Sequence, residues 1–179
     1  MILIIIQVIL IIILFGLIIF LSEHFFNILL RGFAPFIATR SGIIDKIINE
    51  LKLSSEDVVY ELGCGKAGFL RVMRRHYPKN KLVGIEYLYT PYFISRIQNS
   101  FLKNKLIIKR ENIFKADIGK ADFIYCYLNI LAMKKLSPKF ARECKPGCLV
   151  ISFQFLIPEK DAQKILKVSK NEKVYFYKY

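Results

Sequence analysis

The chain has no tryptophan, two histidines, and no Lys or Arg before Arg31. His24 and His76 lie far in sequence from Cys64, Cys126, Cys144 and Cys148, and no cysteine pair has C-x-x-C spacing, so no metal site is expected. The four thiols read as reduced, and Cys64 as a small residue that fits its turn. The opening apolar run has neither a basic n-region before it nor a small-residue cleavage site after it, which argues against a cleaved signal peptide. The chain also lacks RNP-like segments, finger spacing and an arginine-rich arm, so nucleic acid is the less favoured anionic partner. Internal repeats, low-complexity tracts and a second globular domain are likewise missing.

What is present falls into three parts. Residues 1–21, apolar apart from Gln7 and Gly16, cover roughly the 30 Å of a bilayer core at about 1.5 Å per residue, and residues 1–24 read as a transmembrane helix. Residues 25–52 read as a connector followed by an amphipathic helix, and residues 53–179 as the globular domain. Arg31, Arg40 and Lys46 all follow the apolar helix, a bias that puts the domain on the cytoplasmic side of a single-pass protein. All 28 Lys and Arg and 13 of the 14 acids lie in residues 31–179, which therefore carry +15. For a tethered domain of that charge the nearest anionic partner is the lipid surface. The alternative is a solvated lysine-rich surface with no special partner.

From Asp57 onward the pattern alternates. Strands are expected at Val58–Leu62, Leu82–Glu86, Leu106–Lys109, Phe123–Leu128 and Cys148–Phe155, with a helix between each consecutive pair, which indicates an α/β fold with a parallel sheet covered on both faces. Ile43, Ile44, Ile47, Ile48 and Leu51 mark the amphipathic helix, capped by Thr39 or Ser41. Thr90-Pro91 and Ser137-Pro138 each read as a cap followed by a helix-opening proline. The stretches 162–169 and 173–179, separated by a polar turn, suit a terminal antiparallel hairpin.

The most informative segment is Glu61-Leu62-Gly63-Cys64-Gly65-Lys66-Ala67-Gly68, which joins the first strand to a helix start. Its glycines allow a tight turn and close approach of a ligand to the backbone, and the helix N-terminus offers free N–H groups. Gly63, Gly65 and Gly68 satisfy G-x-G-x-x-G, and Glu86 lies where a ribose-binding acid falls in a dinucleotide fold. Against a dinucleotide, the chain has little room for a second nucleotide half. Glu61 also sits badly near a pyrophosphate and well near an ammonium group.

These residues resemble motif I of class I S-adenosylmethionine-dependent methyltransferases, an acid-x-G-x-G-x-[GA] pattern met by Glu61, Gly63, Gly65 and Ala67. The resemblance implies a Rossmann-like seven-stranded sheet ending in an antiparallel hairpin, with S-adenosyl-L-methionine as cofactor. It implies that Glu61, Gly63, Cys64 and Gly65 hold the methionine end and that Glu86 bonds the ribose hydroxyls. Tyr87, Asn112 and Ile113 would then surround the adenine, with Asn112 replacing a more usual Asp. A narrower likeness is carried by Gly32-Phe33-Ala34-Pro35-Phe36-Ile37-Ala38-Thr39, Ile151-Ser152-Phe153-Gln154-Phe155-Leu156-Ile157-Pro158 and Val174-Tyr175-Phe176-Tyr177. They resemble segments of small protein-lysine methyltransferases that include the mitochondrial enzymes acting on the ATP synthase c-subunit and the adenine nucleotide translocase, which also carry an N-terminal membrane segment. Ala38 replaces that family's second connector proline, and Tyr125-Cys126-Tyr127-Leu128-Asn129 departs from its usual sequence after strand four.

The resemblance implies that Thr39 folds over the cofactor's carboxylate, besides its possible capping role. Tyr127 and Asn129 follow strand four, where methyl acceptors bind in this fold, and one of them is expected to contact the substrate. Phe153 and Phe155 read as core. The acceptor implied is a lysine of a membrane or membrane-associated protein. The competing readings are an RNA or small-molecule methyltransferase of the same fold and a non-catalytic membrane adaptor.

Overall fold

The computed structural model describes residues 1–31 and 38–179, the side chains of 23, 24 and 26–31 excepted. The connector residues Gly32, Phe33, Ala34, Pro35, Phe36 and Ile37 therefore lie outside the described residues. The chain forms two units, Met1–Ile37 and Ala38–Tyr179. The first is the helix α1, Ile2–Arg31. Within it Ile2–Ser22 is long and apolar enough to cross a membrane by length and composition, and its side chains are exposed.

The second unit follows the order α2 (Ser41–Asn49), β1 (Val58–Leu62), α3 (Gly68–His76), β2 (Lys81–Glu86), α4 (Tyr89–Ser100), β3 (Ile107–Arg110), β4 (Phe123–Cys126), α5 (Ile130–Glu143), β5 (Leu149–Phe153), β6 (Lys164–Lys167) and β7 (Lys173–Lys178). The strands form one seven-stranded sheet in the order β3-β2-β1-β4-β5-β7-β6. The first five are parallel, while β7 runs antiparallel to β5 and to β6, which is the expected terminal hairpin.

Side-chain alternation along the strands divides the core into two layers. Val59, Leu82, Ile108, Tyr125, Ile151 and Phe176 face the layer built from the isoleucines of α2 and from Phe69, Leu70 and Met73 of α3. Tyr60, Leu62, Val83, Ile85, Ile124 and Val150 face the opposite layer, filled by Met133, Leu136 and Phe140 of α5. The parallel strands inside the sheet, β2, β1, β4 and β5, are buried on both faces, as their nearly continuous apolar runs require, whereas the edge strand β3 is largely exposed.

Four local expectations are corrected. No helix lies between β3 and β4. That connection closes in single turns, with Lys115 and Ala116 N–H donating to Asn112 O, and the Asn112 and Asp117 side chains accepting from Phe114 N–H and Gly119 N–H. Such side-chain bonds compete with a helix for the same backbone groups. Helix α2 has Arg40 at its N-cap and no side-chain cap, so neither Thr39 nor Ser41 serves. Helix α4 begins at Tyr89 behind the N-cap Leu88, which leaves Pro91 in its first turn, where a missing N–H is harmless. Helix α5 begins well before Ser137-Pro138, at Ile130. Asn129 caps it, and Pro138 lies in its interior.

Gly84 decides how closely α3 packs on the sheet. A Cβ there would lie 2.7 Å from Cys64 Sγ, 3.0 Å from Leu70 Cδ1 and 3.1 Å from Ile108 Cδ1. Gly84→Ala should destabilise the fold by about 1–3 kcal/mol through overpacking. Adding Cys64→Ala should recover part of that loss, because the nearest clash is removed. Chemical denaturation of the single and double variants measures this, and simple additivity would show that Cys64 is not the obstruction.

Candidate active site

The site is built at the carboxyl ends of β1, β2 and β4. In the parallel ladder Glu61 of β1 lies beside Gly84 of β2 on one side and Tyr125 of β4 on the other. The alternation that sends Val59 and Tyr125 toward α3 sends Glu61 the same way. Its carboxylate is buried, and the N–H of Leu70 in the first turn of α3 donates to it. Its Oε2 is buried with no hydrogen-bond partner among the described residues. Burial is the largest influence on this group and raises its pKa well above the usual carboxylate range. The Leu70 N–H opposes that shift, neighbouring Glu86 adds to it, and Arg71 opposes it.

The turn after β1 is tied to β2 from below. Gly63 N–H and Cys64 N–H both donate to Ile85 O, at 2.9 and 3.0 Å. Gly63, Gly65 and Ala67 take positive φ of 71°, 52° and 57°. At Gly63 the positive φ calls for glycine, and a Cβ would also press on the tip of Leu128, 2.9 Å from its Cδ2. Cys64 is buried with its sulfur over Gly84, as a small packing residue; its thiol pKa is raised, first by burial.

Glu86 completes the turn. Its Oε2 accepts from Gly65 N–H at 2.8 Å and its Oε1 from Leu88 N–H at 2.7 Å, so one carboxylate orders both the glycine turn and the entry to α4. Glu111 N–H donates to Glu86 O, which brings the loop carrying Asn112 against Glu86. Tyr87 follows directly and is half-buried, whereas Ile113 is buried in the α5-side layer.

Thr39 approaches the same place from the segment preceding α2. Instead of capping that helix, its Oγ1 lies 2.6 Å from the Tyr125 hydroxyl. Tyr125 is fully buried and stacks on Phe69, with ring centroids 3.9 Å apart. It is the residue that sequence reasoning missed. The only signal was its place at the end of an apolar strand, which reads equally well as core. Tyr127, two residues on, is half-buried against Phe153 and Phe155, with centroids 4.6 and 6.4 Å away. Its pKa is raised by burial first and then by Glu172, while Arg40 opposes the shift. Asn129 is turned to another task, since its Oδ1 accepts from Ala132 N–H at 2.9 Å as the cap of α5.

The geometry matches known proteins. The family model for the ANTKMT methyltransferase domain matches residues 61–164, from the buried acid of β1 into β6. The chain belongs to this family. A curated relative from Saccharolobus islandicus (strain REY15A), named protein-lysine N-methyltransferase, is 27% identical over 148 residues, covering 80% of this chain and 92% of the relative. An RNA methyltransferase from Salinibacter ruber, solved in complex with S-adenosyl-L-homocysteine, shares the fold with a TM-score of 0.73 and 22% identity, over 79% of this chain and 93% of its own. Geranyl diphosphate C-methyltransferase from Streptomyces coelicolor A3(2), also with S-adenosyl-L-homocysteine, has a TM-score of 0.54 and 14% identity, over 63% of this chain and 45% of its own. The chain is a class I S-adenosylmethionine-dependent methyltransferase. Its residues fit that cofactor, for the partnerless Glu61 oxygen calls for a cationic donor and the glycine turn provides close access to the backbone.

A cation brought against Glu61 lowers its raised pKa, so binding of S-adenosyl-L-homocysteine should be coupled to proton release in the pH range where the unliganded carboxyl is protonated. Titration calorimetry in buffers of different ionisation enthalpy reads this directly. Glu61→Gln should abolish the proton release and weaken binding by about 1.5–3 kcal/mol, the range for a charge-assisted bond. The variant should also be no less stable than wild type without ligand, since a buried ionisable group has been removed. Binding that stays buffer-independent at every pH across the range in which the unliganded carboxyl titrates would remove Glu61 from the proposed ammonium contact.

Proposed function

We propose that the chain is a membrane-anchored protein-lysine N-methyltransferase. The observation that carries the donor site is the buried, partnerless Glu61 oxygen beside the glycine turn. Support for lysine comes from the relative named as a protein-lysine N-methyltransferase. Support for the anchor comes from the apolar span Ile2–Ser22, with the domain on the cytoplasmic side by the basic flank at Arg31, Arg40 and Lys46. In this reading residues 1–24 are the membrane helix, 25–52 the connector with α2, and 53–179 the catalytic domain.

S-adenosylmethionine, when bound, supplies a methyl group already activated on a sulfonium centre. Glu61 and the backbone of Gly63, Cys64 and Gly65 hold its methionine end, with Thr39 covering the carboxylate. Glu86, at the end of β2, would take the ribose hydroxyls, and Tyr87, Asn112 and Ile113 would border the adenine. The protein's main task is then to align the acceptor and exclude water. An acceptor lysine, with an ordinary pKa near 10.4, must give up a proton before its nitrogen lone pair attacks, and a partly apolar site lowers that pKa. Tyr127 remains a neutral phenol at physiological pH. Its ring, flanked by Phe153 and Phe155, offers a face to the cationic amine and its methylated product. Of the two residues expected at the acceptor, Tyr127 is favoured, because the side-chain oxygen of Asn129 caps α5.

Removing residues 1–30 should leave methyl transfer to a soluble lysine peptide intact and sharply reduce methylation of the native acceptor in membranes, since tethering confines enzyme and substrate to one surface layer. Tritiated methyl transfer into fractionated lysate, with mass spectrometry of the labelled species, tests the reaction itself. Label on a membrane-fraction lysine is the expected result. Label confined to RNA or a small molecule would contradict the reading, as would cofactor binding without turnover in any fraction.

A further inference from the structure

Helix α4 is amphipathic the wrong way round for a soluble surface helix. It buries Pro91 and Ser95, with the Ser95 hydroxyl donating to Tyr92 O at 2.6 Å. It exposes Tyr89 at 63%, Phe93 at 64% and Ile97 at 47%, and Phe101 just beyond its end at 83%. These four recur at intervals of four residues, so they form one row that drifts slowly around the helix. A soluble domain exposes single apolar side chains routinely, but an ordered row of large ones marks an interaction face.

The surrounding charge has one sign. Residues 87–110 contain five Lys and Arg and no Asp or Glu. Arg96, Lys103, Lys105, Lys109 and Arg110 are all exposed. The guanidinium of Arg110 lies over the Tyr89 ring, 3.3 Å from its centroid, which fixes a cation at the edge of the row. An apolar row with Tyr at one end and basic side chains around it matches helices that lie in the lipid interface, where aromatic and aliphatic groups enter the acyl boundary and cations meet anionic headgroups. A second copy of the chain fits poorly, because a two-fold contact would set the five cations against their own counterparts.

We infer that α4 is a lipid-contact helix, whose Tyr89, Phe93, Ile97 and Phe101 enter the interface of an anionic membrane. The inference rests on the reading of α1 as a membrane anchor, and it adds an orientation to it. With α4 on the lipid, Glu86 at the end of β2 and the loop leading to α4 lie close to the membrane surface, within reach of acceptors held there. The opposite sheet edge, β6, faces away.

The absence of tryptophan makes the test direct. Phe93→Trp and Ile165→Trp, the latter on exposed β6, each place a single fluorophore in the full chain. Both are reconstituted in phosphatidylcholine vesicles with and without phosphatidylserine, and each composition is prepared with brominated acyl chains. Flotation reports anchoring, and bromine quenching reports lipid contact. The expected result is that both variants float and that Phe93→Trp in anionic vesicles is blue-shifted and quenched at least about twofold more than Ile165→Trp, as a side chain entering the acyl boundary would be. That difference should shrink without phosphatidylserine. Floating protein with equal quenching at the two sites would overturn the inference and leave the anchor standing. A blue shift without quenching would overturn it in favour of this face packing against another copy of the chain. Protein that fails to float would overturn both readings.

Discussion

Two carboxylates, Glu61 and Glu86, stand at the ends of adjacent parallel strands and are both buried. Burial above all raises the pKa of Glu61, and the nearby Glu86 adds to the shift. The fold tolerates the pair because backbone N–H groups are directed at it. Leu70 at the start of α3 serves Glu61, while Gly65 and Leu88 serve Glu86. The entries to α3 and α4 are therefore positioned by the same two acids that are proposed to meet the cofactor. One oxygen, Glu61 Oε2, is left over, and an unpaired acceptor in a buried place is expensive unless a ligand completes it.

The rest of the domain keeps this arrangement rigid. Gly84 gives up its side chain so that Cys64 and Leu70 can sit close to β2, and closeness is what lets the first turn of α3 reach Glu61. On the other flank, Tyr125 is clamped by Phe69 and presents its hydroxyl to Thr39, which draws the segment before α2 toward the same end of the sheet. The isoleucines of α2 then cover the layer that this segment crosses. Candidate site residues that are far apart in sequence thus depend on a few core contacts.

Much of this was legible in the sequence, and what was not has physical causes. The five parallel strands and the hairpin follow from apolar runs and turn residues, and the glycine turn from a short motif whose conformation needs glycine. The region between β3 and β4 misled because Ile113, Ala116 and Ile118 supply core contacts without helical hydrogen bonds. Ser137-Pro138 misled because local preference for a helix start is weaker than the burial of Met133, Leu136 and Phe140 along one continuous helix. Tyr125 escaped notice since a buried tyrosine at a strand end looks like packing until its hydroxyl partner is seen. The capping role of Asn129 was not legible, because a cap and a site residue share the same chemistry at a strand end.

The central claim is that the glycine turn and Glu61 form the seat of the cofactor's amino-acid end. A crystal structure of the chain with S-adenosyl-L-homocysteine tests it most directly. The account predicts the ligand's ammonium nitrogen at hydrogen-bonding distance, about 3 Å, from Glu61 Oε2. A ligand bound at this turn with Glu61 Oε2 still unpartnered, or a ligand bound elsewhere in the fold, would contradict it.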